Sequence, residues 1–331
     1  MQESPEERCY PWRRLWSAIA FSAAFALGIY VLLQAARPNS GVISFSFLIV
    51  LPAAICAFLA YIADPWGTRS HLQYLLIPLW VLVAVIVISA IVLREGVICI
   101  LILSPLWLLC GLAGAEIAYR LRRVPKDGRA YCSTLIAMPI AMMVIEPMIP
   151  LPTSVVTVTR TADIAASPQA LWPLVRGIPD VHPGEGRWNL SQDVIGIPRP
   201  ISARLVGDGV GAQRFAVWGD HIRFREQING WQPGRHIGWH FKFDDLAGWQ
   251  MTDTHLMPNS SYFQVVSGGY RLQPLANGRT RLTLHTDYRI KTPLNAYAAL
   301  WGELFLGDLE NNLLALIAQR APRRGSSPLD A

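Results

Sequence analysis

Within the segment His221–Asn229, apolar and polar residues alternate. A strand places Ile222, Phe224, Glu226 and Ile228 on one face and His221, Arg223, Arg225 and Gln227 on the other. Burying a carboxylate among three apolar side chains is costly unless it is paired. Arg214, on the preceding alternating run, is the expected partner, giving a polar pair Arg214–Glu226. Paired, Glu226 is structural. Unpaired, it would have a raised pKa suited to proton transfer, which makes it the candidate catalytic acid or base. The residue pattern alone leaves both readings open.

Aromatic residues supply the other chemistry. Seven of the 12 tryptophans follow residue 150. Ile237, Trp239, Phe241 and Phe243 share one strand face, and Leu282, Leu284, Thr286 and Tyr288 share another. Aromatics with polar tips suit an apolar ligand that carries one polar group. The expected lining of a ligand cavity is Trp172, Phe224, Glu226, Trp239, Phe241, Tyr270, Tyr288, Tyr297, Trp301 and Phe305.

Other constellations carry less. His236 and His240 have a metal-like spacing, but on a strand residues four apart are separated by about 13 Å, too far for one ion. The glycine-rich stretch Gly207–Gly211 is followed by a strand, whereas a phosphate cradle needs a helix N-terminus. His285 shares a face with Arg281 and Asp287 and is expected to be solvated, as are Asp308, Asn311 and Asn312 on the last helix. All five cysteines (Cys9, Cys56, Cys99, Cys110, Cys132) precede residue 151, so no nucleophilic Cys-His set arises in the second half. Neither a metal nor a cofactor is expected.

Two kinds of chain carry these residues. The first 150 residues hold apolar runs of the length a membrane crossing needs: 15–36, 42–63, 72–93 and 97–119, with a weaker fifth at 132–150 interrupted by Pro139, Glu146 and Pro147. Intramembrane acids are functional candidates by default, which singles out Glu116 and Glu146, although both sit near span ends, where a carboxylate can reach the interface. The N-terminal tail and the even-numbered links hold nine Lys and Arg, and the odd-numbered links two. The N-terminus is therefore expected in the cytoplasm of a multi-pass inner-membrane protein. Five spans place the following domain outside, for example in a bacterial periplasm, and four spans place it inside. Five are favoured. The basic balance, 29 Lys and Arg against 23 Asp and Glu, includes no basic stripe, so nucleic acid is not an expected partner.

From residue 153 the pattern changes. A strand Val155–Ile164 precedes a short helix Gln169–Arg176, with Ser167 as cap and Pro168 at the first helical position. Residues 177–200 read as a loop. Alternating runs follow at Ile201–Val206, Gln213–Trp218, His221–Asn229, Arg235–Phe243, Tyr262–Leu272 and Thr280–Ile290. Turns are expected at Gly207, Gly219, Asn229-Gly230 and Asn277-Gly278. A helix from Pro293 to about Arg320, capped by Thr292, carries the stripe Tyr297, Trp301, Leu304, Phe305, Leu309, Leu313, Leu316 and Ile317. An antiparallel sheet has one apolar face to bury, and a single long helix can cover it if the sheet curls around that helix. The expected fold is therefore a membrane α-helical bundle plus an α+β helix-grip domain over 153–321, with 322–331 as a flexible tail.

Several phrases carry a family resemblance: Ala166-Ser167-Pro168-Gln169-Ala170-Leu171-Trp172, Gly209-Val210-Gly211-Ala212-Gln213-Arg214, Trp231-Gln232-Pro233-Gly234-Arg235, Gly268-Gly269-Tyr270-Arg271-Leu272 and Gly278-Arg279-Thr280-Arg281-Leu282. With the element order, they resemble the START-like (SRPBCC) superfamily of polyketide cyclases and lipid-transfer domains. The resemblance implies a cavity for an apolar ligand between sheet and helix, and supplies no shared catalytic set. The expected function is membrane-tethered binding of a hydrophobic small molecule or lipid. The alternatives are cyclase- or hydrolase-like chemistry at Glu226, and a filled domain that binds a protein partner or senses stress.

Overall fold

The computed structural model describes residues 5–36, 43–64, 66–93, 96–123, 128–250 and 256–322. The chain forms two compact units, Met1–Pro152 and Thr153–Ala331.

The first unit is helical: α1 (Pro5–Ala36), α2 (Leu51–Ala63, continuing a π-turn Ser46–Val50), α3 (His71–Ile88), α4 (Val97–Arg122) and α5 (Gly128–Ile145). Four stretches are long and apolar enough to cross a membrane: Leu15–Ala35, Ser46–Ala63, His71–Ile91 and Val97–Arg122. The fifth expected span is helical, but its apolar part, Thr134–Met148, is shorter. The Ser46–Ala63 stretch is central, being the most buried of the four. Helix α4 approaches it through Gly111 and Gly114, where any side chain would collide with Cys56, Pro78 or the Ala53 backbone.

Both acids singled out in this unit have structural partners. Glu146 is buried and accepts from Ser46 Oγ (2.8 Å), Ser46 N (3.1 Å) and Phe45 N. It thus caps the start of the central helix, where backbone N–H groups lack intrahelical acceptors. Glu116 pairs with His71 and Arg120, each at 2.6 Å. Asp64, which the sequence did not point to, is buried and accepts from Thr68 N (3.0 Å), Arg69 N (3.1 Å) and Tyr74 Oη (2.9 Å), closing the link between α2 and α3.

The second unit is α+β. Strand β1 (Thr153–Ile164) leads into α6 (Pro168–Arg176) and α7 (Leu190–Asp193). The meander β2 (Pro200–Val206), β3 (Gln213–Trp218), β4 (Ile222–Gln232), β5 (His236–Asp245), α8 (Ala247–Gln250), β6 (Phe263–Pro274) and β7 (Thr280–Lys291) follows, and α9 (Asn295–Arg320) ends it. The seven strands form one antiparallel sheet in the order β1-β7-β6-β5-β4-β3-β2. Its register shifts at Pro200/Ser202, Arg223/Phe224, Ile228/Gly230 and Val265/Ser267, and such bulges bend strands. Helix α9 packs on β1 and β7, which closes the helix-grip arrangement. The core joins Leu171 and Val175 of α6, Ile228, Ile237, Trp239, Tyr270, Leu282 and Leu284 of the sheet, and Leu314, Leu316 and Ile317 of α9.

Four local expectations need correction. Asn229-Gly230 is not a turn. The strand runs through it with a bulge to Gln232, and the reversal falls at Pro233-Gly234, where Gly234 has φ +72°. The loop 177–200 contains α7, capped by Asn189 accepting from Gln192 N (2.9 Å). Helix α9 starts at Asn295, because Thr292 and Pro293 belong to a separate turn in which Thr292 N donates to Asn295 Oδ1 (2.8 Å). Asp308 and Asn312 are not solvated. Asp308 accepts from Ser191 N and Oγ, and Asn312 accepts from Arg187 N (2.7 Å) and donates to Gln192 (2.7 Å), so the 177–200 segment is strapped along α9. Of the tail 322–331, residues 323–331 lie outside the described residues.

Candidate functional site

Arg214 and Glu226 are cross-strand partners on β3 and β4, and both are buried. Arg214 Nε donates to Glu226 Oε2, and its Nη1 donates to Val175 O (2.7 Å). The guanidinium lies 4.2 Å from the Trp239 ring centroid and 5.9 Å from that of Tyr270. The carboxylate is thus committed to an ion pair within the core. The pair ties β3 and β4 to α6, which is the arrangement the structural reading of Glu226 expects.

The expected lining residues separate into four places. Trp239 and Tyr270 lie in the main core, with Trp172 and Phe241 packed against it. Phe224 belongs to a second cluster with Ala216, Ile222 and Leu246, where Phe243 stacks on Phe241 at 6.1 Å. Tyr288 is fully buried in a third cluster with Val158 and Ile290, and its hydroxyl donates to Ala299 O (3.3 Å). Tyr297, Trp301 and Phe305 form a half-buried ladder along α9, with ring centroids 6.3 and 5.6 Å apart.

That ladder shows that the sheet-facing stripe of α9 is rotated from the expected one. The residues against the sheet are Gly302, Leu306, Glu310, Leu314 and Ile317, whereas Leu304 is exposed. Any side chain at Gly302 would meet the Tyr288 hydroxyl, and one at Gly307 would meet the Arg160 guanidinium. These two glycines bring the helix close to β1 and β7.

Glu310 therefore enters the core. It is 2% exposed, and neither carboxylate oxygen has a hydrogen-bond partner among the described residues. Burial pushes its pKa up to about 8. Thr286 and Arg160 moderate the rise, while Glu303 and Asp287 add to it. The Thr286 side chain stands beside the carboxyl and is what most moderates the rise. Arg160 is committed elsewhere: its Nη1 donates to Glu303 Oε1 (2.6 Å), and its Nη2 to Glu303 O (3.2 Å).

A second unpaired group lies on the facing sheet. Trp239 is 3% exposed, and its Nε1–H has no acceptor among the described residues. Trp239, Gly268 and Thr286 are direct neighbours across β5, β6 and β7. Gly268 has no side chain, and the indole lies over it: a Cβ there would stand 3.1 Å from Cζ2 and 3.2 Å from Cε2 of Trp239. Cε2 carries Nε1, so the N–H edge of the ring lies over Gly268, one strand from Thr286.

Glu310 escaped the sequence reading because Asp308, Asn311 and Asn312 around it suggested a solvated face. The available signal was the spacing Gly302, Leu306, Glu310, Leu314 and Ile317, which is one helical stripe.

The outer sheet face is different. Gly230, Gly238, Gly269 and His285 are neighbours across four strands. The His236 ring covers Gly230 and Gly238, and its Nδ1 lies 3.1 Å from Tyr270 O. His285, expected to be solvated, is half-buried over Gly269, and desolvation lowers its pKa. His240 contacts Asn229 at 2.9 Å. Among the described residues no three His, Cys, Asp or Glu side chains gather as a metal site.

No protein-family model matches the chain, and no curated protein matches it. Similar solved structures include the Zhui aromatase/cyclase of Streptomyces sp. R1128, at 18% identity over 53% of this chain and 99% of that one (TM-score 0.32). Norcoclaurine synthase of Thalictrum flavum, in complex with a transition-state analogue, shows 14% identity over 51% and 98% (TM-score 0.31). Protein Ms6760 of Mycobacterium smegmatis shows 18% identity over 51% and 96% (TM-score 0.30).

Proposed function

We propose that this chain is a multi-pass membrane protein whose helix-grip unit holds a hydrophobic small molecule or lipid between the sheet and α9. One observation carries the reading: a carboxyl group and an indole N–H, both buried in the interior of this unit, have no partner by hydrogen-bond geometry among the described residues. A core with only a packing role gains nothing from two such groups, since each unsatisfied one costs about 1–3 kcal/mol. A bound molecule with a polar end removes that cost, and the apolar side chains around it accept the remainder. The resemblance carried by the turn and cap phrases points the same way. No observation favours catalysis at Glu226, which is held in its ion pair.

The test is photolabelling. The full chain in nanodiscs is delipidated, exposed to an aliphatic diazirine and mapped by peptide. Saturable labelling of β5–β7 or α9, blocked by a molecule that co-purifies with the protein, is the expected result. No saturable labelling after residue 152 and no stoichiometric co-purified molecule would refute the proposal.

The proposed topology has a cytoplasmic N-terminus, five crossings and an extracytoplasmic ligand-binding unit at the inner membrane. From Gly128 through the turn ending at Met148, α5 is about 30 Å long at 1.5 Å per residue, the hydrocarbon thickness, with Arg129 at its start. A C-terminal alkaline phosphatase fusion should be active and a green fluorescent protein fusion dark. The reverse pattern would establish four crossings.

A further inference from the structure

We infer that the exposed apolar stripe on the first three turns of α9 is an interfacial anchor that lies against the lipid bilayer. This rests on the membrane insertion proposed above and is independent of the ligand.

Helix α9 carries two apolar stripes. One packs in the core through Leu306, Leu314 and Ile317. The other is Tyr297, Leu300, Trp301, Leu304 and Phe305, at the i, i+3, i+4, i+7, i+8 spacing of a face that meets a partner. Leu300 is 69% exposed and Leu304 39%, and the three rings between them are half-buried. Exposed apolar patches of this kind mark protein or membrane contacts. The carboxylates of this part of the helix are already engaged. Glu303 pairs with Arg160 at 2.6 Å, and Asp308 accepts from Ser191 N and Oγ. Contact with lipid therefore leaves neither of them uncompensated.

Chain connectivity identifies the partner. Only Ile149, Pro150, Leu151 and Pro152 separate the apolar helical stretch Thr134–Met148 from β1. From Met148 to Thr153 the chain can reach about 18 Å at most. Helix α9 begins at the same end of the sheet as β1: Asn295 Nδ2 donates to Ser154 Oγ at 3.0 Å, and Thr153 pairs with Lys291. From Asn295 to Leu304 is about 14 Å along the helix axis. The stripe thus starts where the chain leaves the membrane. Its composition fits that layer, because Tyr and Trp concentrate at membrane–water interfaces, with the ring in the apolar layer and the polar tip among headgroups. Lys291, exposed at the same end, suits anionic headgroups. The inference requires only that α5 end in the membrane, and it holds on either side of the bilayer.

Photo-cross-linking tests this on the full chain in vesicles of phosphatidylcholine and phosphatidylglycerol in equal parts. Benzoylphenylalanine replaces Leu300 in one protein, Leu79 of α3 in a second and Val206, exposed at the opposite end of the sheet, in a third. The phospholipid adduct at 300, read by mass, is expected to be about tenfold that at 206, the ratio for burial worth about 1.4 kcal/mol. Leu304→Glu changes an exposed position, so amide exchange in β6 and β7 should hold while the adduct at 300 falls by about tenfold. An unchanged adduct in that variant would overturn the anchor. So would an adduct at 79 with none at 300, which leaves the membrane and ligand readings standing. A cross-link from 300 to a second copy of the chain would overturn it in favour of a self-association surface. An adduct at 300 with a co-purified molecule instead of phospholipid would overturn it in favour of a ligand-lining stripe. No adduct at 79 would overturn the membrane reading, and the anchor with it.

Discussion

Glu310 should make the stability of the helix-grip unit fall as pH rises, and a neutral replacement should remove that slope. Burial raises its pKa from 4.5 to about 8 in the folded chain. Between those values the folded state holds a proton that the unfolded state has lost. Stability therefore falls as pH rises through this window, and the full loss is present above about pH 8. Each tenfold gain in proton affinity is worth about 1.4 kcal/mol, so the ceiling is about 5 kcal/mol. Water entering on ionisation reduces that, because buried sites respond as if to a higher effective dielectric. For a domain of this size 1 kcal/mol moves the melting midpoint by about 2–4 °C. The assay is thermal unfolding of the full chain in nanodiscs from pH 5 to 9, read by amide exchange in β6 and β7, for the unmodified protein and Glu310→Gln. Other groups titrate there too. The lowered pKa of His285 contributes stability that is lost as pH falls from 6.5, the opposite sign. Asp163, Asp193, Asp244 and Glu185, held low by Arg281, Arg199, Arg225 and Arg320, lose their contributions only below the ordinary carboxylate range. Subtracting the two proteins isolates Glu310. A difference that grows toward high pH, with Glu310→Gln the more stable there, is expected. A flat difference from pH 5 to 9 would refute the reasoning, since it would mean that Glu310 is solvated or paired.

Glu303→Gln removes a charge that raises the Glu310 pKa and releases Arg160, which lowers it. Both effects act in one direction, so the pH slope should shrink by about 1 kcal/mol in the same unfolding series, and an unchanged or steeper slope would count against it. Arg214→Met leaves Glu226 buried without its cation and should cost about 3–5 kcal/mol. Adding Glu226→Leu should recover most of that in a double-mutant cycle, and strictly additive losses would show that the two residues do not interact. Gly302→Ala and Gly307→Ala should differ, although each gains about 1 kcal/mol of helix propensity. At 302 the new methyl meets the fully buried Tyr288, while at 307 it meets the movable Arg160. Melting should therefore fall clearly for the first and change little for the second. Gly114→Leu should abolish the packing of α4 on the central helix, since even a Cβ there meets the Ala53 backbone, and size-exclusion profiles in detergent will show whether a folded species survives.

The elements that could be read from the sequence are those fixed by neighbouring residues. The parity of Ile222, Phe224, Glu226 and Ile228 placed the carboxylate on the buried face, because strand side chains alternate whatever surrounds them. Ser167 and Pro168 marked the start of α6, because capping is satisfied within one turn: Ala170 N donates to Ser167 Oγ. What could not be read depends on distant contacts. Asn229-Gly230 has turn chemistry, but a bulge against Gly238 keeps it in the sheet. Asp308 and Asn312 have the composition of a wet helix face, but a segment more than 100 residues earlier covers them. The rotation of α9 is set by Gly302 and Gly307 meeting Tyr288 and Arg160, so the aromatic stripe Tyr297, Trp301 and Phe305 is a half-buried ladder.

The two buried carboxylates of the helix-grip unit show how the same residue type takes opposite roles. Glu226 faces an arginine directly across the strand pair, and that arginine also reaches a carbonyl of α6 and stacks on Trp239. The contacts of the pair fix three elements together, and replacing the pair by apolar residues could serve stability as well. Glu310 also has an arginine near enough to influence its proton affinity, yet the chain directs that arginine away. The absence of a side chain at Gly307 leaves room for the guanidinium of Arg160, which pairs with Glu303 on the exposed side of the helix. The sheet repeats the pattern, with the Trp239 indole taking the space a side chain at Gly268 would fill and its N–H left unpaired. Two glycines thus stand where side chains would have moved Arg160 or Trp239. A core selected only for stability would leave neither the Glu310 carboxyl nor the Trp239 N–H without a partner, since buried unsatisfied groups cost free energy. Leaving both unpaired is the arrangement expected where another molecule completes the core.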